Sequence, residues 1–456
     1  MSRQESEQRL VDAVQALKLY GELKAENGGD VSALLAEAAE SLERLAAEVR
    51  KAPEDPALRA AEPDELPGIR RARPEGPRRV DADPEQYADR LAGAFLGRSA
   101  GCILGSPVEG WSVERMRAWA EEDGTSFPPR DYWNTVAEPA KLRYRTIPRR
   151  NYARDRMNGI PVDDDLQYTI LGLLILEEHG PAFSTEDVAR AWERYLPFAC
   201  TAEDVALTNL RRGIHPLEAA DPDGTAPAAQ ACFMSEDRPH AGRGAVTNPY
   251  YQWIGADIRA DPWGYLAPGR LELAAELAHR DAYLSHRRNG IYGAMYFAAA
   301  VAAAFAVDEP MEALRLALTE IPAESRLARE LRWALETAPQ ISDYRDANAA
   351  VTERFPTMHH VHTINNACLT VFGISIGGRD LSRVISETVA MGYDNDCTAA
   401  TAGSIVGAVV GRAGLEPHWT APFGNTIHSY LKGHASFSID DVLSRFATQM
   451  RRVTAG

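Results

Sequence analysis

The sequence predicts an all-α protein made of many packed helices. Three observations carry that expectation. Apolar residues recur at helical spacing along most of the chain, strand-like alternation over more than a few residues is scarce, and no fixed-period repeat marks a solenoid. The 456 residues are 45% hydrophobic and 25% charged, a globular composition with ample material for a large core.

At the N-terminus, Leu10, Val11, Val14, Leu17 and Leu19 set a helix over about Gln4 to Glu26. Leu34, Leu35, Leu42, Leu45 and Val49 set a second over Asp30 to Lys51, with turn and N-cap chemistry at Gly28, Gly29 and Asp30 between them. Residues 1–52 are therefore expected to form a helical hairpin, an extension able to support oligomerisation. Residues 53–84 are rich in Pro, Arg, Glu and Asp and read as a linker or loosely docked strap. The main domain then spans 85–456. Its helical patterns include Tyr87 to Leu96, Leu166 to Glu178, Thr185 to Leu196, Leu271 to Leu284 and Gly293 to Val307. Further ones are Pro310 to Glu320, Glu324 to Thr337, Arg379 to Ala390 and Thr398 to Val410. The longest apolar run, Ala294 to Val307, falls short of the about 20 residues a bilayer core needs and reads as a buried core helix. Ile214 to Gly269, rich in Pro, Gly, Asp and aromatic residues, is the largest irregular stretch.

Lys and Arg number 49 and Asp and Glu 65, leaving a formal charge of −16. That is the wrong sign for a non-specific nucleic-acid binder, so neither nucleic acid nor membrane is expected as a partner. The opening MSRQESEQRL lacks the basic, apolar, small-residue order of a secretory signal. Cys102, Cys200, Cys232, Cys368 and Cys397 form no CxxC pair, so no disulfide framework or zinc module is expected, and a reducing, cytoplasmic setting fits.

Three segments carry chemistry. Asp163, Asp164 and Asp165 directly precede LQYTILGLLILEEHG; one of them can serve as a solvated N-cap, or the three can bind a cation. The helix dipole offsets their mutual repulsion by only about 0.3 to 1 kcal/mol for each charge. Asp394 and Asp396 open a second helix whose face is small (Ala399, Ala402, Gly403, Gly407, Ala408), and carboxylate oxygens are the ligands Mg²⁺ selects. Gly93, Gly97, Gly101 and Gly105 line one side of a third helix, with Glu109 just beyond it as either a solvated side chain or a mobile carboxylate beside a metal.

Read as motifs, GCILGSPVE (Gly101 to Glu109), DDDL (Asp163 to Leu166), SHRRNGIYGA (Ser285 to Ala294) and GYDNDCTAATAGSIVGA (Gly392 to Ala408) resemble the ADP-ribosylglycohydrolase family over about Glu85 to Gly433. The family forms are a GDxLGxPxE-like end to a Gly-rich helix, a TDDT segment, a TH before a Tyr-Gly-rich stretch, and GGDTDTxAAxxGAxxGA. The resemblance implies an all-α fold and hydrolysis of the C1 glycosidic bond of an ADP-ribosyl or simpler ribosyl conjugate, whether an ADP-ribosylated protein or a small NAD-like or nucleoside metabolite. It places one or two Mg²⁺ ions, or Mn²⁺, on Asp163, Asp164, Asp165, Asp394 and Asp396. It puts Glu109, Asp164 and Asp396 in the reaction, with Glu109 or an aspartate as general base. His286, Tyr292, Gly255 and Arg259 fall at substrate-binding positions.

Several positions depart from the family pattern. Asp163 stands where the family has Thr, although a register one residue earlier puts Val162 there; Cys397 replaces a ligand Thr, and Cys102 replaces the Asp of GDxLG. The diphosphate loop, typically GNGSAMR-like, is matched only by WIGADIRADPWG (Trp253 to Gly264). These changes keep open an alternative, a catalytically silent ADP-ribose-binding or structural protein on the same fold. Tyr250, Tyr251, Trp253, Trp263 and Tyr265 either wall a ligand cavity or pin the irregular segment. His359, His360 and His362 lack accompanying metal-ligand spacing and read as structural or exposed. Cys397 is disfavoured as a nucleophile, because adjacent carboxylates raise a thiol's pKa.

Overall fold

The computed structural model describes residues 3–137, 142–143, 147–220 and 246–455. Of the irregular stretch, residues 221–245 lie outside them, and so does Cys232. The N-terminal unit, up to Asp55, holds α1 (Arg3–Glu26) and α2 (Ser32–Arg50), joined by a turn with Gly28 at φ 75°. A Cβ on Gly21 would lie 3.2 Å from Leu35 Cδ1, so the two helices touch there, while Leu10, Val11, Leu45 and Val49 stay exposed.

The second unit begins at Pro56, and its first segment departs from the linker reading. Residues 56–84 hold α3 (Pro56–Ala61) and α4 (Leu66–Ala72), and Ile69 within them is fully buried. The reason is one carboxylate. Glu62 accepts from Arg288 Nε at 2.7 Å, Asn289 Nδ2 at 2.9 Å and Arg326 N at 2.9 Å. Asp64 accepts from Arg288 N at 2.7 Å and helps hold that residue at φ 52°, a conformation disfavoured for a side-chain-bearing residue. Composition indicated a linker because few apolar residues are present; polar contacts dock the segment instead.

The body continues with α5 (Tyr87–Gly105), α6 (Val113–Asp123), α7 (Asp164–His179), α8 (Thr185–Tyr195), α9 (Thr201–Arg211), α10 (Asp261–Leu266) and α11 (Leu271–Ala282). Then follow α12 (Asn289–Ala304), α13 (Pro310–Ala317), α14 (Arg326–Thr337), α15 (Tyr344–Arg354), α16 (Thr363–Gly377), α17 (Leu381–Ala390), α18 (Asn395–Val410), α19 (Pro417–Thr420) and α20 (Ile439–Ala455). Two short antiparallel pairs, Leu142–Arg143 with Ile147–Pro148 and Thr426–His428 with Ser436–Ser438, are the strands among the described residues. The fold is all-α. Every residue of α12 is buried, as an all-round apolar sequence requires. Among the described residues, no helix is long and apolar enough to cross a membrane.

α5 and α18 meet backbone to backbone. A Cβ on Gly93 would lie 2.3 Å from Gly407 O, one on Gly97 2.4 Å from Gly403 O, and one on Gly101 2.2 Å from Ala399 O. The approach is reciprocal, since Gly403 and Gly407 face Gly97 O and Gly93 O at 2.3 and 2.2 Å. The four-residue spacing of glycines thus builds a groove into which the partner helix backbone settles. Arg98, fully buried, fastens this pair to its surroundings: its guanidinium donates to Thr169 Oγ1, Asp261 Oδ2 and the carbonyls of Asp165 and Ile258 at 2.7 to 2.9 Å.

Two substitutions test these contacts. Gly97→Val is expected to destabilise the body by about 3 kcal/mol or more, because its side chain meets backbone that cannot yield. Glu62→Ala, which removes the acceptor of Arg288 Nε and of the Arg326 amide, is expected to cost about 3 kcal/mol. Denaturant unfolding followed by circular dichroism measures both.

Candidate active site

Three chain starts and ends converge where α5 runs out. Gly105 closes α5 with no side chain, and a Cβ there would lie 2.5 Å from Asp396 Cα, so the first turn of α18 is seated directly on it. The next residue, Ser106, donates from its hydroxyl to Asp163 Oδ2 at 2.6 Å. Asp163 is the N-cap of α7, accepting from Asp165 N at 3.3 Å, so the capping role is filled even though this aspartate is fully buried. Asp165, also fully buried, receives Arg98 on Oδ1 at 3.4 Å and the Cys397 thiol on Oδ2 at 3.3 Å. The thiol contact joins the two acidic helix starts.

α18 is launched by a left-handed pair, Gly392 at φ 74° and Tyr393 at φ 62°. Asp394 follows with its amide donating to Asn366 Oδ1 at 3.2 Å and its own side chain making no cap bond. The same Asn366 side chain donates to the carbonyls of His360 and His362 at 2.7 and 2.9 Å. Asn366 thereby ties the His359–His362 loop to the start of α18.

Burial is what sets the acids' protonation. It pushes Asp165 and Asp396 well above the usual carboxylate range; Arg98 opposes this at Asp165, while Glu109 and Asp394 add to it at Asp396. Asp394 is raised to about 7 by burial, then by Glu109. Cys397 is likewise driven up by burial and by Asp165, Asp394 and Asp396, which leaves no basis for a thiolate nucleophile in the ion-free site.

A cavity of about 300 Å³ opens over these groups. Glu109, Asp164, Asp394, Asp396 and Cys397 form its acidic side, and Tyr168, Cys200, Glu203 and Gly255 also line it. Its rim is aromatic: Tyr250 meets Trp253 edge-on at 4.7 Å, Trp253 stacks on His359 at 4.2 Å, and His359 on His360 at 4.3 Å. Among the described residues, the cavity lining includes no Lys or Arg.

The residues assigned to substrate binding from the sequence divide here. Gly255 lines the cavity, and a Cβ there would sit 2.3 Å from Glu203 Oε1 and displace that carboxylate. Arg259, His286 and Tyr292 do not line it, and each is occupied elsewhere. The Arg259 guanidinium, 1% exposed, donates to Asp281 Oδ2 at 2.7 Å, to Ser285 Oγ at 2.9 Å and to Glu203. His286 is enclosed behind it with Nδ1 2.8 Å from Ser285 Oγ, and burial, then Arg259, lowers its pKa well below the usual range, keeping the ring neutral. Tyr292 donates its hydroxyl to Pro63 O at 2.6 Å, beneath the docked segment. The functional neighbours not singled out from the sequence are Arg98, Glu203 and Asn366. Of these, only the NN pair opening α16 leaves a local signal, two amides at the head of an apolar helix.

The donor chemistry fits a divalent cation. Cys102, Asp163 and Asp165 offer one ligand atom each within 4.8 Å of one another, and so do Asp394, Asp396 and Cys397. Their carboxylates suit Mg²⁺ or Mn²⁺, whereas the two thiols do not suit Mg²⁺.

Comparisons with known proteins give a family and a fold. The family described as ADP-ribosylglycohydrolase matches residues 83–451. The chain belongs to the ADP-ribosylglycohydrolase family. An uncharacterised protein of Archaeoglobus fulgidus is 25% identical over 327 residues, covering 70% of this chain and 87% of its own. A solved structure titled "ADP-ribosylglycohydrolase-related protein complex" superposes with a TM-score of 0.52 at 18% identity, over 81% of this chain and 99% of that one, and supports the fold. Membership identifies the ADP-ribosylglycohydrolase-like body as a hydrolase scaffold for glycosyl bonds, and the hairpin lies outside the match.

The rim yields a pH test. Burial, then Arg326 and His359, lowers the His362 pKa to about 3, while an unfolded imidazole titrates near about 6.5. The unfolded chain therefore takes up this proton first, so the associated stability is complete above about pH 6.5 and is lost as pH falls towards 3. Its slope is at most about 1.4 kcal/mol per pH unit. His362 Nδ1 also caps α16 by accepting from Ile364 N at 3.2 Å. His362→Asn keeps an acceptor and is expected to flatten the decline between pH 6.5 and 4, measured as the wild-type-minus-variant difference in unfolding free energy.

Proposed function

We propose that the protein is a divalent-cation-dependent glycohydrolase that cleaves the C1 N- or O-ribosyl bond of an ADP-ribosyl or simpler ribosyl conjugate. The observation that carries this reading is the junction of the two acidic helix starts through Cys397 and Asp165, on a cavity that Glu109 also lines. Asp163, Asp165, Asp394 and Asp396, with Asp164 at the cavity wall, would hold Mg²⁺ or Mn²⁺. When bound, such an ion polarises ribose hydroxyls and offsets charge. Glu109 lies half-buried just past the short turn Ser106–Val108 and accepts a proton from the attacking water. The surrounding carboxylates favour positive charge on the sugar as it becomes oxocarbenium-like. Tyr168, whose buried hydroxyl has no partner among the described residues, is available to donate to a substrate oxygen. The rings of Tyr250 and Trp253 flank the entrance and exclude water from one side.

Charge favours the smaller substrate. With Arg259 bound to Glu203 and Asp281, and an acidic lining, a diphosphate finds no cationic side chain among the described residues at the wall, whereas a neutral or cationic N-ribosyl compound or an NAD-like nicotinamide end suits it. Turnover of ADP-ribosyl-arginine, ADP-ribosyl-serine, NAD and N-ribosyl nucleosides, compared side by side with Mg²⁺ and Mn²⁺, separates the classes. Asp394→Asn is expected to lower kcat/KM at least about 100-fold and Glu109→Gln to lower kcat with little change in KM. Full activity in Asp394→Asn rules the mechanism out, and turnover of only the protein-type conjugates rules out the small-substrate preference.

A further inference from the structure

Three thiols stand among the acids of the site: Cys200 lines the cavity outside the two ligand trios, while Cys102 and Cys397 each belong to one trio, in different surroundings. Cys102 is fully enclosed and takes no part in the cavity wall, whereas Asp394, Asp396 and Cys397 all line it. The ligand atoms of that second trio lie within 4.8 Å of one another. Asp394 is only 4% exposed, and its Oδ1 has no hydrogen-bond partner among the described residues. Thr398 Oγ1, one turn into the helix and 1% exposed, is in the same condition. A buried carboxylate oxygen without a donor is costly. Here the open acceptor stands beside a second carboxylate and a sulfur.

We propose that Asp394, Asp396 and Cys397 form a mixed carboxylate–thiolate site that takes a borderline divalent ion, Zn²⁺ or Co²⁺, in preference to Mg²⁺. The proposal rests on the glycohydrolase reading only in placing an ion at this wall. Mg²⁺ binds hard oxygen donors in near-octahedral geometry and gains little from sulfur, while Zn²⁺ and Co²⁺ combine sulfur with oxygen donors readily. Three protein ligands with the remaining position facing a cavity is also the ligand count of an open zinc site. On binding, the Cys397 S–H bond breaks, the sulfur electron pair goes to the ion, and the proton now directed at Asp165 Oδ2 passes to solvent, together with any proton held by the Asp394 and Asp396 carboxyls. Asp163 and Asp165, grouped with the Cys102 thiol that is enclosed away from the cavity wall, keep their oxygens for Mg²⁺ or Mn²⁺. The site is then divided by hardness, with one ion type on α7 and another on α18.

The test uses the full chain, stripped with a chelator and titrated with Co²⁺ alone. A sulfur-to-cobalt charge-transfer band in the near ultraviolet is expected to saturate, to be displaced by stoichiometric Zn²⁺, and to persist against a roughly 100-fold excess of Mg²⁺. Cys397→Ser and Cys397→Thr are expected to lose the band and at least about 10-fold in Zn²⁺ affinity, while Cys102→Ser keeps both. Circular dichroism verifies the fold of each variant, and Thr, close to Cys in size, serves if Ser fails to fold. Absence of the band, or its survival without the Cys397 thiol, overturns the proposal. Turnover with Mg²⁺ and no sulfur band overturns this inference alone; a Cys397-dependent band with no turnover on any ribosyl substrate overturns the glycohydrolase reading alone.

Discussion

Where α5 crosses α18, the carbonyl oxygens of Gly403 and Ala399 occupy the space that side chains on Gly97 and Gly101 would need, and the same holds in reverse for Gly403 and Gly407. That backbone contact fixes the register of the two helices to within a fraction of an ångström. Everything at the site is measured from it. Gly105 seats the first turn of α18, Ser106 reaches Asp163, and Cys397 reaches Asp165 because the two helix ends are held level. A slip of one turn would move Asp396 about 5 Å along the axis and separate the acidic clusters.

Such a clasp explains which parts of the protein were legible in the sequence. Helix periodicity, the acidic starts at Asp163 and Asp394, and the glycine ladder are local patterns, and α7, α12 and α18 follow them closely. The end of α5 belongs to that ladder: Gly93, Gly97, Gly101 and Gly105 mark one helix face, and the helix does run to Gly105, its glycines, poor helix formers alone, being stabilised by the partner backbone. Arg259 illustrates the opposite limit. Its motif position was found, but its chemistry depends on Glu203 and Asp281, which lie 56 and 22 residues away and give no local sign of facing it. The docked segment at residues 56–84 misleads for the same reason, because Glu62 has acceptor capacity that only the distant Arg288, Asn289 and Arg326 reveal.

The net charge of −16 acquires a location from this arrangement. Most carboxylates are solvated or paired at the surface, where they cost little. Asp163, Asp165, Asp394 and Asp396 are buried together, and Arg98 reaches only Asp165 among them directly. Burial first, and neighbouring carboxylates after it, raises the pKa of Asp165, Asp394 and Asp396.

Asn366 gives the site a mechanical property. One carboxamide accepts from the Asp394 amide and donates to the carbonyls of His360 and His362, so the stacked rim and the acidic floor share a single planar group. A ligand that orders the rim holds that plane still, and an ion that orders Asp394 does the same from below. Loss of the Asn366 carboxamide would therefore remove, in one step, the acceptor of the Asp394 amide and the donor to both loop carbonyls.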